Sequence, residues 1–258
     1  MRLALLILGS VFGSAAAVAA DYVALPGGSF SSVLPADGKA APAQIAPFRL
    51  RREPVSNAEF LAFVSANPQW RRGHAPRILA DQRYLSHWAA ADALGEQAQA
   101  QQPVTRVSWF AAQAYCASEG ARLPRWYEWE YAAAADATRH DARDDPAWRE
   151  SILRWYSRPS NKPLPLIGGE PNAWGVRDLN GLVWEWVDDF NALLVASDSR
   201  DQDDPDRLQF CGAGAAQMQE KDNYAVLMRI AMLSSLKAGD TTNNMGFRCA
   251  RSAAEGEQ

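Results

Sequence analysis

The stretch TRVSWFAAQAYCASEGARLPRWYEWEYAAAA (105–135) carries two helix signals in close succession. Ser108 is suited to cap a first helix, which places Tyr115 among alanines on one face and ends at Gly120. Pro124 then opens a second helix with glutamates in its early turns, where they complement the helix dipole. The stretch therefore predicts two short helices joined by a turn.

Strand and helix signals also precede this pair. DYVALPGGSF (21–30) alternates apolar and polar residues before a Pro-Gly-Gly turn, which predicts an opening strand. EPVSNAEFLAFVSANP (53–68) offers Ser56 or Asn57 as an N-cap and Glu59 in the first turn, which predicts an amphipathic helix.

Long irregular segments follow the helix pair. Residues 139–171 are polar and interrupted by proline, so we expect a loop with one short helix there. Residues 197–207 form an acidic run, typical of a solvated surface loop rather than a cation site. The pattern as a whole predicts one α+β domain with little regular secondary structure.

The first twenty residues predict export. Residues 1–20 combine one arginine, an apolar stretch and a small-residue tail, which is typical of a secretory signal peptide cleaved after Ala19 or Ala20. An uncleaved anchor is the alternative. Since no later apolar run approaches the length of a transmembrane helix, we expect a periplasmic or secreted protein without a membrane span.

Composition excludes several function classes. The formal charge of −4 gives no basic footprint for nucleic acid. The three histidines have no metal-binding spacing, and no GxSxG, P-loop or dinucleotide motif occurs. The ten tryptophans include two tight clusters, Trp126 with Trp129 and Trp184 with Trp186. These clusters favour core packing, with each indole N–H finding a partner, while a ligand groove is the alternative.

The three cysteines are Cys116, Cys211 and Cys249. In an exported protein they suggest one disulfide and one remaining thiol, but spacing alone does not identify the pair.

Five segments in series resemble the sulfatase-modifying-factor family, which includes the formylglycine-generating enzymes and pyoverdine-maturation proteins. They are LPGGSF, EPVSNAEFLAFV, PVTRVSWFAAQAYCASEGARLPRWYEWEYAAAA, NAWGVRDLNGLVWEWVDD and NNMGFRCAR. The resemblance spans residues 22–251, so residues 21–258 are expected to form one such domain. It implies a compact α+β fold with a C-type-lectin-like core and structural calcium.

The resemblance also implies a calcium site. Asp178 and Glu185 match side-chain ligands of the family, and Gly181 and Val183 match backbone-carbonyl ligands. Oxygen donors of this kind suit a hard cation. The alternative is that Asp178 caps a turn while Glu185 forms a salt bridge. One calcium ion is expected, because the region of a second site is shortened.

The same resemblance sorts the cysteines. Cys116 and Cys249 match the family's disulfide. Formylglycine-generating enzymes bind copper through two thiolates, but Ala225 stands at the second position, and the stretch that would hold the first contains no cysteine. Cys211 matches neither position, so the known copper chemistry is not expected, and the presence of a redox metal is left open.

Two functions remain open from the sequence. In the first, the protein is a divergent exported maturation enzyme that oxidatively tailors a peptide or protein, with Cys211, Glu220, Tyr224 and Arg229 as candidate catalytic residues. In the second, it is a non-catalytic module that binds a peptide, glycan or protein on the same scaffold. In either case we expect a monomer.

Overall fold

The computed structural model describes residues 20–32, 42–159, 162–192 and 224–253. A three-stranded antiparallel sheet combines β1 (Tyr22–Leu25), β4 (Phe48–Arg51) and β7 (Ala250–Ser252) in the order β1-β4-β7. β2 (Gly28–Phe30) pairs with β3 (Ala43–Ile45), and β5 (Trp184–Glu185) pairs in parallel with β6 (Met245–Gly246). The opening strand predicted from the sequence is confirmed.

Helix α1 (Asn57–Ala66) begins at a complete capping box. The Ser56 hydroxyl accepts from the backbone N–H of Glu59, whose carboxylate in turn accepts from the backbone N–H of Ser56 at 2.8 Å. Because two N–H groups are satisfied reciprocally, the helix start is set by local residues. Of the two predicted caps, Ser56 is the one used.

The two helices expected in the opening stretch are present as α2 (Trp109–Ser118) and α3 (Trp126–Ala133). Ser108 caps α2 through the backbone N–H of Ala111, and Gly120 adopts a φ of +66° just after its end. Glycine takes that conformation without steric cost, so the chain can turn directly into α3.

Two further helices complete the described structure. Helix α4 (Pro146–Tyr156) is the short helix expected between residues 139 and 171, and Asp145 caps it. Helix α5 (Tyr224–Ser234) precedes β6. No helix in these four stretches of the chain is both long and apolar enough to cross a membrane.

Tryptophan packing is more varied than predicted. As predicted, Trp126, Trp129, Trp184 and Trp186 are buried in one core cluster. The indole N–H of Trp129 donates to Glu185, and that of Trp186 donates to the Val107 carbonyl. The expectation that every indole finds a partner is wrong for Trp126, whose Nε1 is buried with no hydrogen-bond partner among the described residues.

Candidate functional site

One depression, which we call the aromatic slot, lies where the end of α4 meets β5. Its cavity volume is about 260 Å³, between three aromatic rings on one side and a proline-rich segment on the other. Its walls consist of Trp155, Tyr156, Arg158, Pro159, Lys162, Pro163, Leu164, Pro165, Leu182, Trp184 and Asn244.

The three rings of the slot form one stacked cluster. The Tyr156 and Trp184 rings stack with centroids 4.7 Å apart and planes 17° from parallel. The Trp155 ring lies 5.2 Å from that of Trp184. Burial raises the pKa of Tyr156 to about 12, so its phenol is protonated at neutral pH. The Tyr156 and Trp184 rings are nearly parallel, whereas the Trp155 ring is tilted by 41° from that of Trp184, and together they offer an apolar aromatic surface suited to a planar or proline ring.

The position of Trp184 depends on a strand pair from distant parts of the chain. The backbone N–H of Trp184 donates to the backbone carbonyl of Asn244 at 2.8 Å, next to the β5–β6 pair. A Cβ at Gly246 would lie 2.7 Å from the Val104 carbonyl oxygen, so a larger residue would push β6 away. Close backbone approach at this glycine therefore keeps Trp184 against α4.

A second depression, the polar basin, adjoins the slot and has a cavity volume of about 500 Å³. Lys162, Pro163 and Leu164 line both depressions and form the ridge between them. The other walls consist of Asn57, His87, Glu96, Gln97, Gln99, Gln102, Pro103, Thr105, Arg106 and Asn243. We call the slot and the basin together the groove.

Hydrogen bonds and prolines hold the ridge in place. The side-chain amide of Gln102 donates to the Leu164 carbonyl at 2.6 Å, and the Ile167 N–H donates to the Gln101 carbonyl at 3.0 Å. Prolines at 163 and 165 restrict the same segment. The ridge is thus held in place before any ligand arrives.

His87 borders the basin as a neutral ring. Burial, together with the nearby cations Arg106 and Arg72, lowers the pKa of His87 to about 4. Both ring nitrogens are buried without a hydrogen-bond partner among the described residues. His87 therefore adds no charge to the basin at neutral pH.

Arg229 lies behind the slot, in α5. Its guanidinium carbon is 3.3 Å from the Trp129 ring centroid, and its Nη2 donates to the Glu185 carbonyl oxygen at 2.8 Å. Burial lowers the pKa of Arg229 to about 10, an effect that Glu185 opposes. It lines a small cavity that Tyr156 also borders. Of the two predicted catalytic residues that the structure describes, Arg229 is the one that shares a cavity with Tyr156 of the slot.

Of the other three candidate catalytic residues, the structure describes Tyr224 alone. The Tyr224 side chain is 52% exposed at the start of α5 and lines neither depression. Cys211 and Glu220 lie outside the described residues, as does the acidic run at 197–207.

The predicted calcium residues have internal partners. Both Asp178 carboxylate oxygens accept from the backbone N–H of Gly169, and one also accepts from that of Gly168. Both oxygens of the fully buried Glu185 accept from Arg248. These are the turn cap and the salt bridge that the sequence left open as the alternative.

The predicted backbone ligands lie between these two carboxylates in sequence. Gly181 has a φ of +117°, and Val183 is fully buried just before β5. In the described part of the chain, no three His, Cys, Asp or Glu side chains cluster as a ready-made metal site.

The disulfide is present between Cys116 and Cys249, as the resemblance implied, with their Cα atoms 5.5 Å apart. It connects α2 to the residue before β7. Sequence reasoning missed Trp155, Tyr156 and Lys162 as site residues. The one signal for the groove was the tryptophan cluster around Trp184, for which core packing was favoured.

Comparison with known proteins agrees with this fold. Residues 10–253 match the family described as Sulfatase-modifying factor enzyme 1-like domain. The formylglycine-generating enzyme of Streptomyces coelicolor is 30% identical and aligns over 90% of this chain and 89% of its own length. The hercynine oxygenase of Mycolicibacterium smegmatis is 33% identical over 66% of this chain and 46% of its own length.

Among solved structures, PvdO from Pseudomonas aeruginosa aligns over 90% of this chain and 94% of its own, with 19% identity and a TM-score of 0.46. The family match covers nearly the whole chain and agrees with the mixed helix and strand content. The protein therefore belongs to the sulfatase-modifying factor family.

Proposed function

We propose that this protein is an exported maturation factor that oxidatively tailors a peptide or protein segment bound in the groove. The observation that carries the proposal is the similarity to a formylglycine-generating enzyme over nearly the full length of both chains. The stacked rings and the anchored ridge support it, because they provide a preorganised surface for an extended segment.

We propose that the chemistry does not use a pair of copper thiolates. The chain has three cysteines, and the disulfide between Cys116 and Cys249 engages two of them. Cys211 alone cannot supply two soft sulfur ligands. Cys211, Glu220, Tyr224 and Arg229 remain the candidates for the reaction, and Arg229 is the best supported because of its place behind Tyr156.

Export is part of the same proposal. The signal-peptide pattern at residues 1–20 predicts it, and a disulfide that closes a long loop is suited to an oxidising compartment. Recovery of the mature chain, starting at residue 20 or 21, from the cell envelope or culture medium would verify the prediction. A full-length cytoplasmic chain would contradict it.

We also keep a structural calcium ion as a proposal. The oxygen donors of Asp178, Gly181, Val183 and Glu185 are of the right type. Arg248, however, already balances the charge of Glu185, so calcium would have to share that carboxylate with a guanidinium. Calorimetric titration of the chelator-treated mature protein tests this directly, because a missing site gives no binding heat.

The functional test compares exported peptides and proteins by mass spectrometry in three strains of the producing organism. One strain keeps the gene, one lacks it, and one carries the Trp155→Ala, Tyr156→Ala variant. We expect one product to lose an oxidative mass change in the second and third strains. An additional strain carries Ile78→Ala as the matched control, because this side chain is 82% exposed and lies outside the groove.

Identical products in all strains would refute the tailoring function. Retained binding of a peptide, glycan or protein by the purified protein would then favour the non-catalytic module.

A further inference from the structure

The groove concentrates positive charge on an otherwise acidic protein. The formal charge of the chain is −4. Yet the ionisable side chains at the rim of the aromatic slot, apart from the Tyr156 phenol, are Arg158 and Lys162, and no described carboxylate lines it. The basin adds Arg106 against one carboxylate, Glu96.

Within the described residues, no ion pair neutralises these cations. No described carboxylate lies within salt-bridge distance of Arg158 or Lys162, whereas Arg154, one turn earlier, pairs with Glu150 at 3.0 Å. Arg106 donates to the Asn243 and Ser86 side chains, which are both neutral. The groove therefore presents unpaired positive charge beside the stacked rings.

Each cation has a defined relation to the apolar surface. Arg158 follows α4 two residues after Tyr156, and Lys162 begins the ridge. A ring placed on the Tyr156–Trp184 stack would thus have cations on the α4 side and the ridge side. A ligand with an apolar ring and flanking carboxylates complements both features.

We propose that the groove selects an extended acidic peptide segment, in which a proline or aromatic ring occupies the slot and neighbouring carboxylates face Arg158 and Lys162. This inference rests on the proposed function and names its substrate class. The carboxylates belong to side chains or to a free C-terminus, which share the same chemistry.

The test measures binding of dye-labelled peptides to the mature protein by fluorescence anisotropy at two salt concentrations. The first probe is Ala-Glu-Phe-Pro-Glu-Ala, labelled at its N-terminus and amidated at its C-terminus. Its analogues carry Gln or Lys in place of Glu, or a free C-terminus on the Gln background. We expect the Glu peptide to bind more tightly than the Gln and Lys peptides, with the preference weakening at high salt.

The Gln peptide with a free C-terminus distinguishes recognition of a chain-end carboxylate from recognition of acidic side chains. Tighter binding of the Gln peptide with a free C-terminus than of its amidated form assigns the site to chain ends. No difference between these two, with the Glu preference intact, assigns it to acidic side chains. Either result supports the proposal.

Charge removal at the groove gives the sharper test. Arg158→Gln with Lys162→Gln should weaken binding of the Glu peptide roughly fivefold or more and abolish its advantage over the Gln peptide. Arg154→Gln is the matched control, since this arginine lies on α4, four residues before Arg158, and is 71% exposed but is already paired. It should change affinity less than twofold.

Three results would overturn the inference. They are equal binding of the Glu and Lys peptides, equal effects of the control and the groove variants, and tighter binding of a hexathymidylate than of the Glu peptide. These binding experiments test only which peptides the groove prefers, so a negative result in them does not decide the mass-spectrometric test of tailoring. Loss of the tailored product with intact acidic selectivity would separately count against the function.

Discussion

The buried ion pair between Glu185 and Arg248 should be the most sensitive point of the fold. Both side chains are fully buried, and Arg248 donates to Glu185 through Nε at 2.8 Å and Nη2 at 2.8 Å. The same guanidinium donates to the backbone carbonyls of Arg51, Arg52 and Arg177. It therefore connects β5, the end of β4 and the loop before Asp178.

Arg248→Met removes these donors while keeping an unbranched side chain. The Glu185 carboxylate then keeps one hydrogen-bond donor among the described side chains, the Trp129 indole N–H at 2.7 Å. A buried carboxylate left without its cation costs about 3–5 kcal/mol of unfolding free energy. The three backbone carbonyls that lose their hydrogen-bond donor lower the unfolding free energy further.

Equilibrium urea unfolding of the mature protein, with the disulfide intact, measures this loss. Glu185→Met alone should also destabilise strongly, whereas the double variant should cost less than the sum of the two by roughly 2–3 kcal/mol, because neither Glu185 nor Arg248 is then left without its partner in the pair. Arg154→Met, an exposed arginine on α4, is the control and should change stability by about 0.5 kcal/mol or less.

An Arg248→Met loss within about 1 kcal/mol of the control, or strict additivity in the double variant, would refute this reasoning. Repeating the series with calcium and with chelator links it to the metal proposal. If calcium binds Glu185, it should stabilise the Arg248→Met variant more than the parent protein, since the ion would replace the missing positive charge.

Three further predictions concern pH, the disulfide and a helix cap. Burial raises the pKa of Asp189 to about 6, so the folded state holds that proton more tightly and stability falls as pH rises from about 4 to 6. Asp189→Asn should remove at most about 3 kcal/mol of this fall. The test measures the unfolding free energy of the parent and of the variant across this pH range, and the same pH dependence in both proteins would contradict the prediction. Replacing Cys116 and Cys249, 133 positions apart, with alanine should lower the unfolding free energy by about 2–5 kcal/mol in denaturant titrations, and an unchanged midpoint would disprove the cross-link's role. Ser56→Ala should cost about 1 kcal/mol in the same assay, whereas Ser65→Ala, a control in the last turn of the same helix, should cost much less, so equal losses would argue against the capping box.

Local features of this protein could be predicted from the sequence. Ser56 and Ser108 cap helices where predicted, because a cap and the N–H it satisfies lie within three residues. The disulfide between Cys116 and Cys249 was assigned through a resemblance to a family, since spacing alone left three pairings open.

The candidate site was much less predictable. Tyr156 and Trp184 are 28 positions apart, and nothing in the local pattern of either residue predicts their stacking. The same holds for Glu185 and Arg248, which are 63 positions apart. Tryptophan clusters indicate burial, but they do not reveal which ring faces a groove.

The sequence by itself thus determined the starts of α1 and α2, the glycine turns after β1 and α2, and the family. The tertiary structure decided that Trp184 meets the end of α4, that Arg248 rather than solvent faces Glu185, and that Arg158 and Lys162 border the same slot. The physical reason is the range of the interactions. Caps and turns are satisfied within a few residues, whereas ring stacks, buried ion pairs and local charge arise where distant segments pack together.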